Sequence, residues 1–428
     1  MLLSGRTRVA GLILLFSGIG SALPANDAGP NLQLASGQEL EIQRFAGLGK
    51  SLLLWLPSER GFRPAHREHA RALAQLGYEV WLADLHDAYF VERNRRSIAN
   101  FPLDDVVDII DAAVSASKAG VFLMSASRGA QLSLIAAREW QQQNPGKAGL
   151  KGVFLAHAHL YRARPAAGES ASYLPIVSAT NLPVYLLDTQ YSTRSARIGE
   201  LAEALESGGS RVFTQVIKGV QGGFIVRADS ELEHRDQTAK RDFARIVERG
   251  LRALALVPAP TAAAATSVDT RQYSRNGAHA TALSALPKPL PAPPLRLDGY
   301  HGQGYSLERQ EGRVVLVNFW ASWCKPCVEE IPSLHRLRQA IQNPDFDIFT
   351  VNVGESRQRI DRFLSRVKLE LPLLLDTDSS AAMAWKIYVY PSSYLVDHNG
   401  QIRYAYLGAL EWDSPENIAI IQNLLRQR

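Results

Sequence analysis

The sequence predicts an α/β protein with two separate sheets, the first mostly parallel and the second smaller. Three observations support this fold class. Apolar, β-rich runs alternate with helical patterns up to about residue 255. A proline-rich stretch follows, and a second, shorter set of strand and helix patterns occupies the rest of the chain. Apolar strands that alternate with helices are typical of a parallel sheet covered on both faces.

The N-terminus has the pattern of a secretory signal. Basic residues, including Arg6, precede the apolar run Val9–Ile19, and small residues follow. We expect cleavage after Ala22 or Ala25, with residues 1–25 as the signal peptide of a periplasmic protein. The apolar run is shorter than the ~20 residues that span a bilayer, although an uncleaved membrane anchor remains the alternative.

In the first part of the chain, the predicted strands are short and almost wholly apolar. They are Ser51–Leu56, Glu79–Ala83, Val121–Ser125, Gly152–Ala156, Val184–Leu187 and Arg211–Ile217. Helical spacing of apolar residues predicts helices between them. These are Ala65–Leu76, Asp104–Ser117, Gly129–Trp140 and Ile198–Glu206.

A linker is predicted where alanine and proline dominate, over residues 256–294. Such sequence favours polyproline II and acts as a semi-rigid spacer. The linker divides the chain into domains at residues 33–255 and 295–428. The formal net charge of the whole chain is only +5, and no basic run occurs, so we expect no nucleic acid partner.

The second part is predicted to contain shorter strands and three helices. Asn399-Gly400 indicates a hairpin. The predicted strands are Val314–Phe319, Phe346–Val353, Ser393–Val396 and Gln401–Tyr406. The helices run from the cysteines to about Ala340, over Ile360–Val367 and over Pro415–Leu425.

The only two cysteines, Cys324 and Cys327, lie in Trp-Cys-Lys-Pro-Cys where a predicted strand gives way to a helix. Unpaired N–H groups and the dipole at a helix N-terminus favour a thiolate there. Cys327, one turn inside the helix, supplies the resolving thiol that disulfide exchange requires. A disulfide that closes so short a loop would stabilise little, which favours redox chemistry.

Metal binding, haem attachment and a structural crosslink compete with redox chemistry as roles for this cysteine pair. A zinc site needs about four ligands, and His335 alone does not complete one. Covalent haem attachment requires a histidine after the second cysteine, but Val328 follows it. We therefore expect no metal and no cofactor. A purely structural disulfide stays open as an alternative.

Three sequence blocks in the second part occur in the order typical of one family. They are Val-Asn-Phe-Trp-Ala-Ser-Trp-Cys-Lys-Pro-Cys-Val-Glu-Glu-Ile-Pro-Ser-Leu at 317–334, Leu-Pro-Leu-Leu-Leu-Asp at 371–376 and Tyr-Pro-Ser-Ser-Tyr-Leu-Val-Asp-His-Asn-Gly-Gln-Ile at 390–402. With these blocks, the chain from about residue 290 onwards resembles the TlpA/ResA-like branch of the thioredoxin superfamily. The resemblance implies a thioredoxin fold and thiol–disulfide oxidoreductase activity.

This resemblance also implies roles for individual residues. Cys324 corresponds to the nucleophile and Cys327 to the resolving thiol. Pro391 corresponds to the cis-proline that faces the pair, and Glu330 to the family's acid near the site. An ordinary trans proline and a solvated carboxylate are the respective alternatives for the last two residues.

The first part carries a different motif, Leu-Met-Ser-Ala-Ser-Arg-Gly-Ala at 123–130, between a predicted strand and a helix. It resembles the nucleophile elbow of an α/β-hydrolase, although a serine replaces the first glycine of Gly-x-Ser-x-Gly. Residues 33–255 resemble this fold as a whole. The resemblance implies Ser127 as nucleophile, with the N–H of Arg128 and the loop 56–61 forming an oxyanion hole.

The remaining members of a catalytic triad do not appear where that family has them. Asp188 follows its strand directly, earlier than expected, and the loop after the last strand contains no histidine. His157 and His159 follow a different strand, and His234 serves only if the chain folds back. Without a base for Ser127, we expect a degenerate hydrolase scaffold that retains a pocket.

Together these observations predict an exported thiol–disulfide oxidoreductase that acts on protein disulfides. The family resemblance further implies that it acts as a disulfide reductase. It also implies apocytochrome c, during cytochrome c maturation, as a substrate and a membrane thiol–disulfide protein as the electron donor. Two alternatives remain open: a serine hydrolase with an accessory thioredoxin-like domain, and a client-binding module fused to a thiol reductase.

Overall fold

The computed structural model describes residues 28–95, 97–162, 171–266, 283–387 and 390–427. The predicted signal peptide and the middle of the predicted linker lie outside these described residues. Within the described ranges, no helix combines the length and the apolar character needed to cross a membrane.

The N-terminal part is built on a mostly parallel sheet, as the strand and helix alternation predicts. Its described strands are β1 (Ala28–Gln33), β2 (Glu39–Phe45), β3 (Leu52–Trp55), β4 (Glu79–Leu82), β5 (Val121–Ala126), β6 (Leu150–Ala156), β7 (Val184–Tyr191) and β8 (Val212–Gln221). They lie in the order β1-β2-β4-β3-β5-β6-β7-β8. β1 and β2 pair antiparallel at one edge, and β3 to β8 pair parallel.

Helices cover both faces of this sheet. They are α1 (Pro64–Gln75), α2 (Leu85–Ala88), α3 (Leu103–Ala116), α4 (Gly129–Gln143), α5 (Ile198–Ser207), α6 (His234–Arg241) and α7 (Phe243–Ala255). Apolar residues of α3, α4 and α5 pack on one face, and those of α1 and α7 pack on the other. Both faces of the central strands are therefore buried, which explains their continuous apolar sequences.

The C-terminal part has a smaller, mixed sheet with the thioredoxin fold. Its described strands are β9 (Ser284–Pro291), β10 (Arg296–Asp298), β11 (Gly304–Ser306), β12 (Val314–Trp320), β13 (Phe346–Val353), β14 (Leu373–Asp376), β15 (Ser392–Val396) and β16 (Gln401–Leu407). β10 and β11 form a separate ribbon, and the others lie in the order β14-β13-β12-β15-β16-β9. The predicted hairpin is confirmed as β15 and β16. The described helices are α8 (Lys325–Ala340), α9 (Arg357–Leu364), α10 (Ser380–Ala384) and α11 (Pro415–Arg426).

Both described ends of the proline-rich stretch differ from the expected semi-rigid spacer. Residues 284–291 form β9, which pairs with β16 at the edge of the sheet. An edge strand tolerates proline because one side of its backbone needs no ladder partner. At the other end, Arg138 of α4 donates hydrogen bonds to the carbonyl oxygens of Ala264 and Thr266. Each end is thus attached to one of the two sheets.

Candidate active site

The cysteine pair lies where the fully buried strand β12 ends and α8 begins. Cys324 is the N-cap residue of α8, and its Sγ accepts a hydrogen bond of 3.2 Å from the backbone N–H of Cys327. The two sulfurs are joined in a disulfide. Cys324 is 6% exposed and Cys327 only 1%. The more exposed of the two cysteine residues therefore lies at the positive end of the helix, where a thiolate is favoured.

Aromatic side chains surround the two sulfurs. Trp320, together with Phe363 of α9, belongs to the same buried cluster as the cysteines. The ring of Trp323 meets the ring of Tyr390 edge to face, with centroids 5.6 Å apart. The Tyr390–Pro391 peptide bond is cis, as the family resemblance implies. An apolar wall thus encloses the disulfide and limits the access of water and of other thiols.

Glu330, on the second turn of α8, is buried rather than solvated. Its Oε1 accepts a hydrogen bond of 2.8 Å from Asn318 Nδ2, on β12. Its Oε2 accepts bonds from the backbone N–H of Leu410 and from the indole of Trp412, each of 3.2 Å. Burial raises the pKa of Glu330 from 4.5 to about 7, against the opposing effect of these three donors. Glu330 can therefore exchange a proton near neutral pH.

A second buried acid near the cysteines, Glu355, has no counterpart in the motif analysis. Its Oε2 accepts a hydrogen bond of 2.6 Å from the backbone N–H of Ser322, and its Oε1 accepts one of 2.6 Å from the Ser322 hydroxyl. Ser322 lies two residues before Cys324. The sequence signal that could have identified Glu355 is its position two residues after the end of β13, the strand adjacent to β12.

Within the described ranges, no group of three or more His, Cys, Asp or Glu side chains is arranged to hold a metal ion. The chemistry that this arrangement supports is exchange between two sulfurs, assisted by a carboxyl group.

In the N-terminal part, Ser127 lies on the sharp turn between β5 and α4. Its φ is +51°, the left-handed conformation that side chains other than glycine adopt at a cost. A Cβ at Gly129 would collide with the carbonyl oxygen of Pro57, so the turn requires glycine there. This geometry resembles that of a nucleophile elbow.

The loop at residues 56–61 reaches Ser127, but it contributes a carboxylate. The hydroxyl of Ser127 donates a hydrogen bond of 3.0 Å to Glu59 Oε1. The backbone N–H of Arg128 donates one of 3.1 Å to Glu59 Oε2. Because that N–H is the expected oxyanion-hole donor, the Glu59 carboxylate occupies the place where a substrate oxyanion would bind.

A histidine–carboxylate pair lies at the ends of β6 and β7, the strands that follow β5 in the sheet. His157 follows β6, and its Nδ1 lies 2.7 Å from Oδ1 of Asp188 on β7. Burial opposes ionisation of Asp188, but the charge and hydrogen bond of His157 hold the pKa of Asp188 below its usual value. The Nε2 of His157 is buried and has no hydrogen-bond partner within the described part. Sequence reasoning passed over this pair because it relied on chain order, whereas β5, β6 and β7 are neighbouring strands.

The other two histidines considered for the triad do not complete it. Nε2 of His159 lies 3.4 Å from the guanidinium of Arg128, and burial together with that cation lowers the pKa of His159 to about 3. His159 is therefore neutral. His234 begins α6 and lines a groove with Lys218 and Arg245, away from β5.

A thioredoxin-like sheet that presents a Cys-x-x-Cys disulfide at the start of a helix defines a thiol–disulfide oxidoreductase. Comparison with known proteins agrees. Residues 290–405 match the AhpC/TSA family. The thiol-disulfide oxidoreductase ResA of Geobacillus thermodenitrificans is 31% identical over 119 residues, which cover 28% of this chain and 68% of that protein. ResA of Bacillus subtilis is 30% identical, with 26% and 62% covered.

Among solved structures, a thiol:disulfide interchange protein of the thioredoxin family from Chlorobium tepidum is 23% identical. The match covers 33% of this chain and 99% of that one, with a TM-score of 0.29. From its curated relatives, the chain belongs, through its C-terminal part, to the ResA-type thiol–disulfide oxidoreductases.

Proposed function

We propose that the protein reduces protein disulfides through Cys324 and Cys327. The thiolate of Cys324 attacks one sulfur of a substrate disulfide, a mixed disulfide forms, and the first substrate thiolate leaves. Cys327 then attacks Cys324, the second substrate thiolate leaves, and the Cys324–Cys327 disulfide remains. The substrate gains two electrons and two protons. The single observation that supports this proposal is the disulfide at the N-cap of α8.

Two neighbouring groups are assigned supporting roles. Glu330, with a pKa raised to about 7 by burial, accepts the proton of the resolving thiol and returns it. Pro391, in a cis peptide beside the aromatic wall, offers its backbone to an extended client segment.

The experiment that tests the thiol proposal is an alkylation series on the reduced full-length protein. Cys324 should react with a midpoint well below the ~8.5 of free cysteine. The Cys327→Ala variant, which stalls the mixed disulfide, should trap clients, and Cys324→Ala is the matched control that traps none. A Cys324 midpoint near 8.5 would contradict the proposal. A reduction potential near about −120 mV, that of strong oxidants, would contradict the reductive direction.

The setting of the reaction is also proposed. Residues 1–25 serve as a signal peptide for export to the periplasm. The two domains are joined by the proline-rich stretch, and the second domain begins with β9, before the predicted boundary at residue 295. Apocytochrome c is the client class expected, and a membrane thiol–disulfide protein returns the electrons. The similarity to ResA proteins supports only the exchange chemistry, so trapped clients identified by mass spectrometry decide the rest.

A second candidate function, ester hydrolysis at Ser127, is favoured by the buried His157–Asp188 pair on the neighbouring strands β6 and β7. His157 has an Nε2 that is unpaired among the described residues and could act as a base, but the hydroxyl of Ser127 donates its hydrogen bond to Glu59 instead. Glu59 opposes this activity because it occupies the oxyanion position. A fluorophosphonate probe should label Glu59→Gln more than the wild-type protein and should not label Ser127→Ala. No labelling of either the wild-type protein or Glu59→Gln would rule this candidate out.

A further inference from the structure

The N-terminal domain contacts the redox domain close to the cysteine pair. Gln190, near the end of β7, donates a hydrogen bond of 3.3 Å to the carbonyl oxygen of Gly354, which directly follows β13. Arg197 donates one of 2.7 Å to the carbonyl oxygen of Lys386. The contact therefore involves the loop ends of β13 and α10, on the same side of the sheet as Cys324.

The strongest link across this contact is Arg359 of α9, whose side chain is only 8% exposed. Its Nη1 lies 2.8 Å from Oε2 of Glu233 in the N-terminal domain. Its guanidinium lies over the ring of Tyr191 at 4.8 Å, also in that domain. On its other side, Arg359 Nε donates a hydrogen bond of 2.6 Å to Oε1 of Glu355. One guanidinium thus joins an acid from each domain.

Glu355 connects Arg359 to the turn that precedes Cys324. Its side chain is wholly buried, and it accepts hydrogen bonds from Arg359, from Asn352 at 2.7 Å and from both donors of Ser322. The backbone N–H of Cys324 in turn donates to the carbonyl oxygen of Ala321 at 3.1 Å. The turn that sets the N-cap geometry of Cys324 is therefore held by a buried carboxylate whose cation partner is fixed by the other domain.

We infer that the N-terminal domain is a positioning partner of the redox site, acting on Cys324 through Glu233, Arg359, Glu355 and Ser322. The inference rests on the proposed thiol chemistry and gives the fused domain a role in it. Without Glu233, Arg359 loses its ion pair with the N-terminal domain and keeps its contact with Tyr191. Glu355 is then held less rigidly, and the turn before Cys324 becomes more mobile. A looser N-cap stabilises the thiolate less.

The direction in which a Glu233 substitution changes the pKa of the Cys324 thiol distinguishes a positioning role from a purely electrostatic one. If Glu233 acted only through its charge, replacing it with glutamine would remove an anion and make the thiolate of Cys324 easier to form. Positioning predicts the opposite, that Cys324 becomes harder to ionise. Glu231, a neighbouring acid that pairs with Arg227 and not with Arg359, provides the matched control.

The test is the pH profile of iodoacetamide alkylation at Cys324 in the reduced full-length protein, read by mass spectrometry. Glu233→Gln should raise the midpoint, so that alkylation below it slows by about threefold or more, and Glu231→Gln should not. Arg359→Gln should also raise the alkylation midpoint of Cys324. Combining Glu233→Gln with Arg359→Gln should raise that midpoint no further than either substitution alone. An unchanged or lowered midpoint in Glu233→Gln overturns the inference.

Two features keep this result decisive. Glu233 is 39% exposed, so its variant is expected to fold even if Arg359→Gln does not, and near-ultraviolet circular dichroism checks this. A wild-type midpoint near that of free cysteine would instead contradict the proposed function. The two failures are therefore distinguishable from a single data set.

Discussion

Replacement of Glu330 by glutamine tests the most strongly perturbed carboxyl group beside the cysteines. A pKa raised from 4.5 to about 7 in the folded protein corresponds to about 3 kcal/mol of unfolding free energy. The sign follows from which form the fold prefers. Burial favours the neutral form, so this contribution is fully present below pH 4.5 and is lost as the pH rises through about 7. In Glu330→Gln, this part of the pH dependence should vanish.

The assay is urea unfolding of the oxidised protein at several pH values between about 4 and about 8.5, a range that brackets both pKa values. Only the slope against pH is compared, because three donors face the carboxylate and a glutamine amide suits one of them poorly. Glu329→Gln is the matched control, since it removes the same charge from a neighbouring position that is less buried. If Glu330→Gln and Glu329→Gln show the same slope as the wild-type protein, the reasoning about burial is refuted. A direct titration of the Glu330 carboxyl near its ordinary pKa, seen by carbon-13 NMR, would refute it independently.

Three further predictions concern two packing contacts and the buried carboxyl group of Asp376. Leu334→Ala, which truncates a wholly buried side chain of α8, should lower the unfolding free energy by about 2–5 kcal/mol in urea titrations, and a loss under about 1 kcal/mol would contradict its core position. Gly250→Ala should cost about 1–3 kcal/mol because the new Cβ would lie 2.6 Å from Cε2 of Phe154; an unchanged melting temperature would show that α7 shifts freely. Burial raises the pKa of Asp376 to about 6, so its stabilising contribution is lost between about pH 4 and pH 6, and Asp376→Asn should flatten that decline in stability curves. If unfolding free energy depended on pH as steeply in Asp376→Asn as in the wild-type protein, the raised pKa of Asp376 would be contradicted.

Regular elements were predictable because their apolar periodicity reflects burial on both sides. The expected strand Phe346–Val353 coincides with β13, and the expected start of α4 at Gly129 is also observed. The predicted end of α4 at Trp140 was too early. The helix continues to Gln143 because Gln141 is buried and bonds to the backbone of residues 260–262, a contact that local sequence does not reveal.

The cysteine site was predictable because two residues and a helix start define it locally. Contacts between distant segments were not. The pairing of His157 with Asp188 depends on β6 lying beside β7, and the link from Glu233 to Glu355 depends on how two domains meet. Neither leaves a periodic or motif signal in the chain. The prolines of β9 argued against a strand in the sequence, but a strand at the edge of a sheet tolerates them.

The attachment of both ends of the proline-rich stretch limits how far the two domains can part. With residues up to 266 bonded to α4 and residues from 284 paired in the second sheet, the chain between the two attachments is 17 residues long. A chain of that length reaches at most roughly 60 Å even when fully extended. If the contact between the domains breaks, they therefore stay within that distance of each other, which favours re-formation of the contact. Substitutions in the contact between the two domains should therefore weaken that contact without separating the redox domain from the rest of the chain.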